Sequence, residues 1–423
     1  MAKSRSKLII AGIVIVALLV AVGIFVWWPA YQRRLDPLAR MIDQARVELK
    51  TQPKGSPHRE EILDRHCDAM YEWVIARHPE LAVVYRDVPD ERNGFRKWLE
   101  FDARHPEGRL DLPKEIERMT SGEAWDAEWV SAWLKEHAAL IEEIAAIGRL
   151  PEQSIKGVRL PNCGFVGARL PKQCSDLLLL QARLQAERKQ PEAALQSVRA
   201  AMGLADHFDQ IETPSLLHST VGILLRLNAG RRFYETILPT LPPDSLDLPA
   251  WRQALQGPPV SPKELGLIMR GEWHVGLRYL VLPQVMVDPK GGIPHDLAKF
   301  ADRWAEAMAR RMEACNTKSF MELKSSYEAV HPRTDHVSSL SRQLLETMDI
   351  GSSAWANGWI RAQLLFQQQN AALAHLLGEP LPNEPITGKP FVWDEATQSI
   401  LFPEDERLAQ IELKPLVVRR FTN

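Results

Sequence analysis

The chain has 423 residues, 45% of them hydrophobic, and carries 52 basic against 54 acidic side chains. That much apolar material can bury a core, which excludes disorder as the dominant state, and 23 Gly and 30 Pro exclude a collagen-like or low-complexity composition. Charge is uneven: Lys3, Arg5, Lys7, Arg33, Arg34 and Arg40 are opposed only by Asp36 near the amino terminus, and the mildly acidic remainder argues against nucleic acid as a partner.

The basic residues flank Leu8 to Trp28, a run without a charged or strongly polar side chain. At about 1.5 Å per residue it matches the hydrocarbon thickness of a bilayer, so one transmembrane helix in contact with lipid is expected over 8–28. A cleavable signal would have a shorter apolar region, about 7–15 residues, ending in small side chains. Here the run ends in Val26-Trp27-Trp28-Pro29, an interfacial aromatic belt followed by a helix stop. The short tail 1–7 favours a cytoplasmic N-terminus. The expected location is the inner membrane, single-pass, with the body on the extracytoplasmic, periplasmic side.

Helical periodicity then dominates. From Arg59 to Arg77 it places Ile62, Cys67, Met70, Tyr71, Val74 and Ile75 on one face, up to His78-Pro79. The sequence Thr120-Ser121-Gly122-Glu123 fits a capping box, and apolar positions continue through Trp125, Trp129, Trp133, Leu140, Ile141 and Ile144 to Gly148. A helix of about seven turns is therefore expected, closing a helical subdomain over 29–150. On it Trp125, Trp129 and Trp133 form a stripe, which is either core or a surface that binds a partner.

Residues 151–174 form an expected Pro/Gly loop between subdomains. Cys163 and Cys174 stand at its ends, and a disulfide between them would contribute about 3 kcal/mol in the chain-entropy model. Cys67 and Cys315 would then pair or remain buried thiols. No Cys-x-x-Cys spacing suggests a metal site.

A second helical subdomain is expected over 175–380. Its segment Leu180 to Ala201, with small residues at Ala193 and Ala200 and leucines at 180, 184 and 195, resembles a tetratricopeptide helical hairpin over 177–206. It departs from that family at Gln181, Arg188 and Ser197, and no second copy follows. The prolines between Pro239 and Pro262 include helix starts at Asp247-Leu248-Pro249 and a capping box at Ser261-Pro262-Lys263-Glu264. Further helices are expected at 262–282, 294–329, 336–348 and 352–377, the last stopped by Gly378.

From 381 to 423 the pattern changes to β. Val392-Trp393 and Ser399 to Phe402 flank a turn at Asp394–Thr397 and read as a small hairpin, which the segment Ile411 to Phe421 could join. The preceding Glu384-Pro385-Ile386-Thr387-Gly388-Lys389-Pro390-Phe391 resembles a C-terminal element of uncharacterised single-pass, membrane-anchored helical bacterial proteins, a resemblance that implies no activity.

Catalytic motifs are absent: no phosphate-binding glycine loop, no Gly-x-Ser-x-Gly and no His-Glu-x-x-His occurs. Two polar clusters remain. His331-Pro332-Arg333-Thr334-Asp335-His336 reads as an interhelical loop, with Thr334 or Asp335 capping the next helix, more readily than as a metal site. Arg65-His66-Cys67-Asp68 could in principle activate a thiolate. The sequence thus implies a mainly α fold: a transmembrane helix, a hairpin or solenoid-like helical body and a small C-terminal β-hairpin. The functional expectation is an envelope scaffold or assembly component with a protein partner and no cofactor. The alternative is an envelope hydrolase of peptidoglycan or peptides, with acidic or His side chains converging on the 125–133 aromatics.

Overall fold

A computed structural model describes residues 35–121, 124–158, 167–242, 246–257, 261–287, 296–317, 320–409, 411 and 413–418. The run 8–28 and Cys163 lie outside the described residues, among which no helix is long and apolar enough to cross a membrane. The described chain is mainly helical, with one small C-terminal antiparallel sheet.

Short polar side chains start many of the helices by accepting the otherwise unused N–H groups of the first turn. Asp36 caps α1 (Pro37–Lys50) and Ser56 caps α2 (Pro57–Ile75). Asn93 caps α3 (Gly94–Ala103), which precedes α4 (Lys114–Ser121). Asp126 caps α5 (Ala127–Glu136), and α6 (Ala138–Gly148) follows after His137. The hairpin of α7 (Arg169–Glu187) and α8 (Pro191–Asp209) leads to α9 (Leu216–Arg232), capped by Ser215. Asp247 caps α10 (Leu248–Leu255), as its sequence implies. Then come α11 (Pro262–Val275), a wider helical turn at Gly276–Val281, α12 (Leu282–Val287), α13 (Leu297–Ala314), α14 (Phe320–Glu328) and α15 (Ser339–Leu376). Gly378, at φ +70°, ends α15 with a backbone turn in which Glu379 N–H donates to the Ala374 carbonyl. β1 (Val392–Asp394) and β2 (Ser399–Leu401) form the expected hairpin, and β3 (Leu416–Val417) adds to β2 beyond the short helix Glu406–Ala409.

The contacts divide the chain into two compact units, neither a single contiguous stretch, so they do not coincide with the sequence boundaries near 150 and 175. The first comprises residues up to Ala82 with Trp273–Arg310 and Val330–Gly351; the second comprises Val83–Glu272 with Arg311–Ala329 and Ser352 onward. In the first unit Asp36 joins helices distant in sequence: one carboxylate oxygen accepts from Ala39 N–H and the other from Ala298 N–H, both at 2.8 Å. Asp296 in turn accepts from the Ser338 N–H and from the hydroxyls of Ser338 and Ser341. Gly276 lies in the wider turn, where a Cβ would overlap the buried Trp304 ring.

The second unit is built on α7 and α8. Lys189, at φ +56°, turns the chain between them. Two of the departures from the tetratricopeptide pattern meet in this hairpin: the Ser197 hydroxyl lies 3.3 Å from Gln181 Oε1 and 2.8 Å from Gln185 Oε1. On the other side of α8, Gly203 meets Gly148 of α6 so closely that a Cβ on Gly203 would overlap the Gly148 carbonyl, and one on Gly148 the Ala200 carbonyl. Beside this contact His207 Nε2 lies 2.7 Å from the Ile147 carbonyl oxygen, while Phe95, Trp98 and Phe208 fill the core.

Several sequence expectations need correction. The seven-turn helix over 120–148 is broken twice. Thr120 belongs to the last turn of α4, where its hydroxyl donates to the Glu117 carbonyl, and Asp126 restarts the helix by accepting from Trp129 N–H. His137, at φ −100° and ψ 22°, breaks it again. The loop 151–174 ends early because Arg169–Cys174 is already helical, Pro171 being tolerated in a first turn. The expected helix 294–329 is two helices, whereas 336–348 and 352–377 are one. Its start is bonded by Ser338, whose hydroxyl accepts from Ser341 N–H, and not by Thr334 or Asp335.

Replacing Gly203 by Ala should destabilise the second unit by about 1–3 kcal/mol, because backbone on both sides must part; urea unfolding against a surface Gly→Ala control measures this. The second unit also buries two neutral histidines. Burial depresses the pKa of both His207 and His218 from 6.5 to about 4, so the unfolded chain binds more protons between those values. Their contribution is full above pH 6.5 and falls by roughly 3 kcal/mol each as pH drops to 4. The slope of stability against pH in that window should be shallower in His218→Gln than in the wild type, even if the variant is less stable overall.

Candidate docking groove

The second unit holds an apolar groove of about 640 Å³. Helix α9 supplies Val221, Leu224, Leu225 and Leu227, α15 supplies Leu365, and the chain into β3 supplies Pro415, Leu416 and Val417. Leu224 is 50% and Val417 41% exposed, two large aliphatic side chains left open in the lining of one groove.

Its floor is rigid. Gln368 Nε2 donates to the carbonyls of Ile400 (2.8 Å) and Lys414 (2.9 Å), tying the sheet to α15. Gln369 donates to the Leu227 carbonyl and lies against Gly230, whose missing side chain admits it. The Tyr234 hydroxyl donates to the Gln369 carbonyl at 2.7 Å. Lys172, Arg231, Glu235 and Lys414 also line the groove; Lys172 pairs with Asp176 at 2.6 Å, and Arg231 lies 4.0 Å from Glu235. Strand β3 pairs only with β2, so among the described residues its outer edge is unpaired.

The residues singled out in the sequence lie elsewhere. Trp125 precedes α5, so only Trp129 and Trp133 share a helix. The Arg183 guanidinium covers the Trp125 ring at 3.8 Å, and Trp133 is buried and stacked on His137 at 4.1 Å. They do not form one exposed stripe. Cys174 is a buried thiol on α7, and its suggested disulfide partner Cys163 lies outside the described residues. Cys67 and Cys315 are buried thiols of the first and second units respectively.

Burial pushes the thiols of Cys67 and Cys315 up to about 12 and that of Cys174 well above its ordinary value, so none is a ready nucleophile. His66 lies 3.2 Å from Glu48 and Asp68 pairs with Arg278, which accounts for the polar residues around Cys67. In the His331–His336 loop Asp335 lies 3.8 Å from Arg303. No group of three or more potential metal ligands occurs among the described residues.

The groove escaped sequence reasoning because its walls come from α9 and from a strand some 190 residues later. The available signal was the run Val221-Gly222-Ile223-Leu224-Leu225, apolar around more of the helix than one buried face requires. The chain matches no protein-family model, no curated protein and no solved structure.

In the native protein, N-ethylmaleimide should label Cys67, Cys174 and Cys315 at least about tenfold more slowly than in urea, because all three thiols are buried and protonated. Peptide mapping by mass spectrometry after timed quenching gives the three rates.

Proposed function

We propose that this protein is a single-pass, membrane-anchored extracytoplasmic component that holds a protein partner in an envelope complex. The observation that carries the reading is the groove beside β3, lined by half-exposed Leu224 and Val417, where β3 has an outer edge unpaired among the described residues. Such an edge supplies backbone hydrogen bonds to an added strand, and the adjoining apolar wall receives its alternate side chains. The partner segment that fits is extended and apolar, with an acidic flank opposite Lys414. The run 8–28, with its basic flanks and aromatic end, supports the anchor and the periplasmic placement of the body.

The envelope-hydrolase alternative finds its best support in a second cavity of the same unit, where the Glu264 carboxyl forms no hydrogen bond or ion pair among the described residues. The other carboxylates lining it are engaged. Asp209 is held by Arg226 at 2.8 and 3.0 Å, and Glu212 accepts from Arg86 N–H, Ser154 Oγ and Ile155 N–H. The cavity therefore offers an acid without a second unengaged carboxylate, whereas general acid–base hydrolysis of a glycosidic bond uses a pair. The scaffold reading is stronger.

Affinity purification of the full-length protein, tagged at its N-terminus, from membranes in mild detergent tests it. A partner in near-equal amount is expected with the wild type, and Leu224→Glu should reduce its recovery at least about tenfold by placing a charge in the apolar groove. Recovery of the protein alone, or a partner retained undiminished by Leu224→Glu, overturns the reading.

A further inference from the structure

The cavity holding Glu264 measures about 330 Å³, near the lower end of the roughly 300–1,000 Å³ typical of small-molecule sites. Trp359, Phe366, Ile223, Leu267 and Ile268 give it apolar walls. Trp359 is held in place by stacking on Phe320, with ring centroids 5.9 Å apart.

Two acceptors in this cavity lack donors. Gln363 is 2% exposed, and its Oε1 is buried without a hydrogen-bond partner. Glu264 carries the other: the pattern Ser261-Pro262-Lys263-Glu264 would have its carboxyl reach back to the Ser261 N–H, but no such bond forms, and the side chain lines the cavity. A buried acceptor left unpaired is costly, and a native protein that keeps two in one apolar cavity has a place for a donor.

The charge balance says which donor. Asp209, Glu212 and Glu264 line the cavity together with Arg86 and Arg270. Behind them Arg226 bridges Asp209 and Asp206. Carboxylates thus exceed guanidiniums by one when all are ionised. The carboxyl without an ion pair among the described residues is Glu264, which burial in company with Asp209 raises to about 8, against the opposing pull of Arg226.

We infer that this cavity binds a small organic amine as its ammonium ion, with the NH₃⁺ group donating to Glu264 and Gln363 and the apolar body packed against Trp359 and Phe366. A primary ammonium has three donors and no acceptor, which suits the Gln363 amide oxygen and the Glu264 carboxyl. The ligand's charge also matches the one surplus carboxylate. Near pH 7 the unliganded Glu264 carries a proton. When the ammonium binds, the carboxyl O–H breaks, the proton leaves to solvent and the carboxylate retains the electron pair that faces the cation. Binding therefore releases one proton per ligand at most.

Isothermal titration of the full-length protein in mild detergent, at pH 7 and in two buffers of different ionisation enthalpy, tests this. Phenethylamine, cyclohexylamine and hexylamine are the probes, with 2-phenylethanol and phenylacetate as neutral and anionic controls. At least one amine should bind saturably, at least about tenfold more tightly than both controls, with a heat that depends on the buffer. Glu264→Gln preserves shape but removes the charge, and should weaken the amine at least about tenfold and abolish the buffer dependence while leaving the melting temperature at or above that of the wild type. Gln363→Leu should weaken binding severalfold without changing proton release. The inference is overturned if no amine binds saturably below about 10 mM, if 2-phenylethanol binds as tightly as the amines, or if Glu264→Gln binds them undiminished. The groove-dependent partner is read by a different variant and a different assay, so either result stands without the other.

Discussion

The second unit depends on the approach of α6 to α8 at Gly148 and Gly203. Two backbones in contact leave no room for a Cβ, and that closeness brings the carbonyl of Ile147 within reach of His207. His207 is then constrained from two sides, because a Cβ on Gly94 would overlap its ring. Three glycines and one neutral imidazole thereby fix how α3, α6 and α8 meet, and Phe95, Trp98 and Phe208 pack around that arrangement. An imidazolium there would have to give up hydration for a single carbonyl, which is why burial holds His207 neutral.

How much of this was legible follows from whether the deciding contact is local. The cap at Asp247, the stop at Gly378 and the C-terminal hairpin are decided within a few residues, and each forms where the sequence places it. The segment Glu384–Phe391 is local in the same sense. The buried Glu384 carboxylate accepts from Ile386 N–H and from the N–H and hydroxyl of Thr387, and Gly388 takes the left-handed conformation at φ +72°. Lys389 reaches Asp405, and Phe391 packs edge-on to Phe402. A compact, self-satisfied turn explains most of those residue types without any ligand.

Other features depend on partners the sequence does not reveal. The pattern over 120–148 has helical period throughout, but Asp126 is a better cap than an interior residue and His137 leaves the helical region, so one expected helix becomes three. Glu264 shows the opposite failure. Its spacing from Ser261 satisfies a local rule that the structure does not use, so the signal that explained the residue also hid it. The Gly148–Gly203 contact leaves even less trace, since a glycine near a helix end reads as a stop, and only the facing backbone shows that it is a point of approach.

The groove and the acidic cavity occupy one unit yet solve different problems, and their polar groups show why they should not be read as one site. In the groove the amides of Gln368 and Gln369 are spent on backbone carbonyls, so the walls offer apolar area and a strand edge but few unpaired side-chain groups. That composition suits a peptide, whose own backbone can satisfy β3. In the acidic cavity the Gln363 amide oxygen and the Glu264 carboxyl are side-chain groups without a hydrogen-bond partner among the described residues. A peptide strand gives the Glu264 carboxyl no counter-charge and leaves it protonated, whereas a small cation favours its ionised form without asking for a backbone partner. Helix α9 contributes to both, with Val221, Leu224 and Leu225 in the groove and Ser219 and Ile223 in the cavity, so its two faces carry the two chemistries.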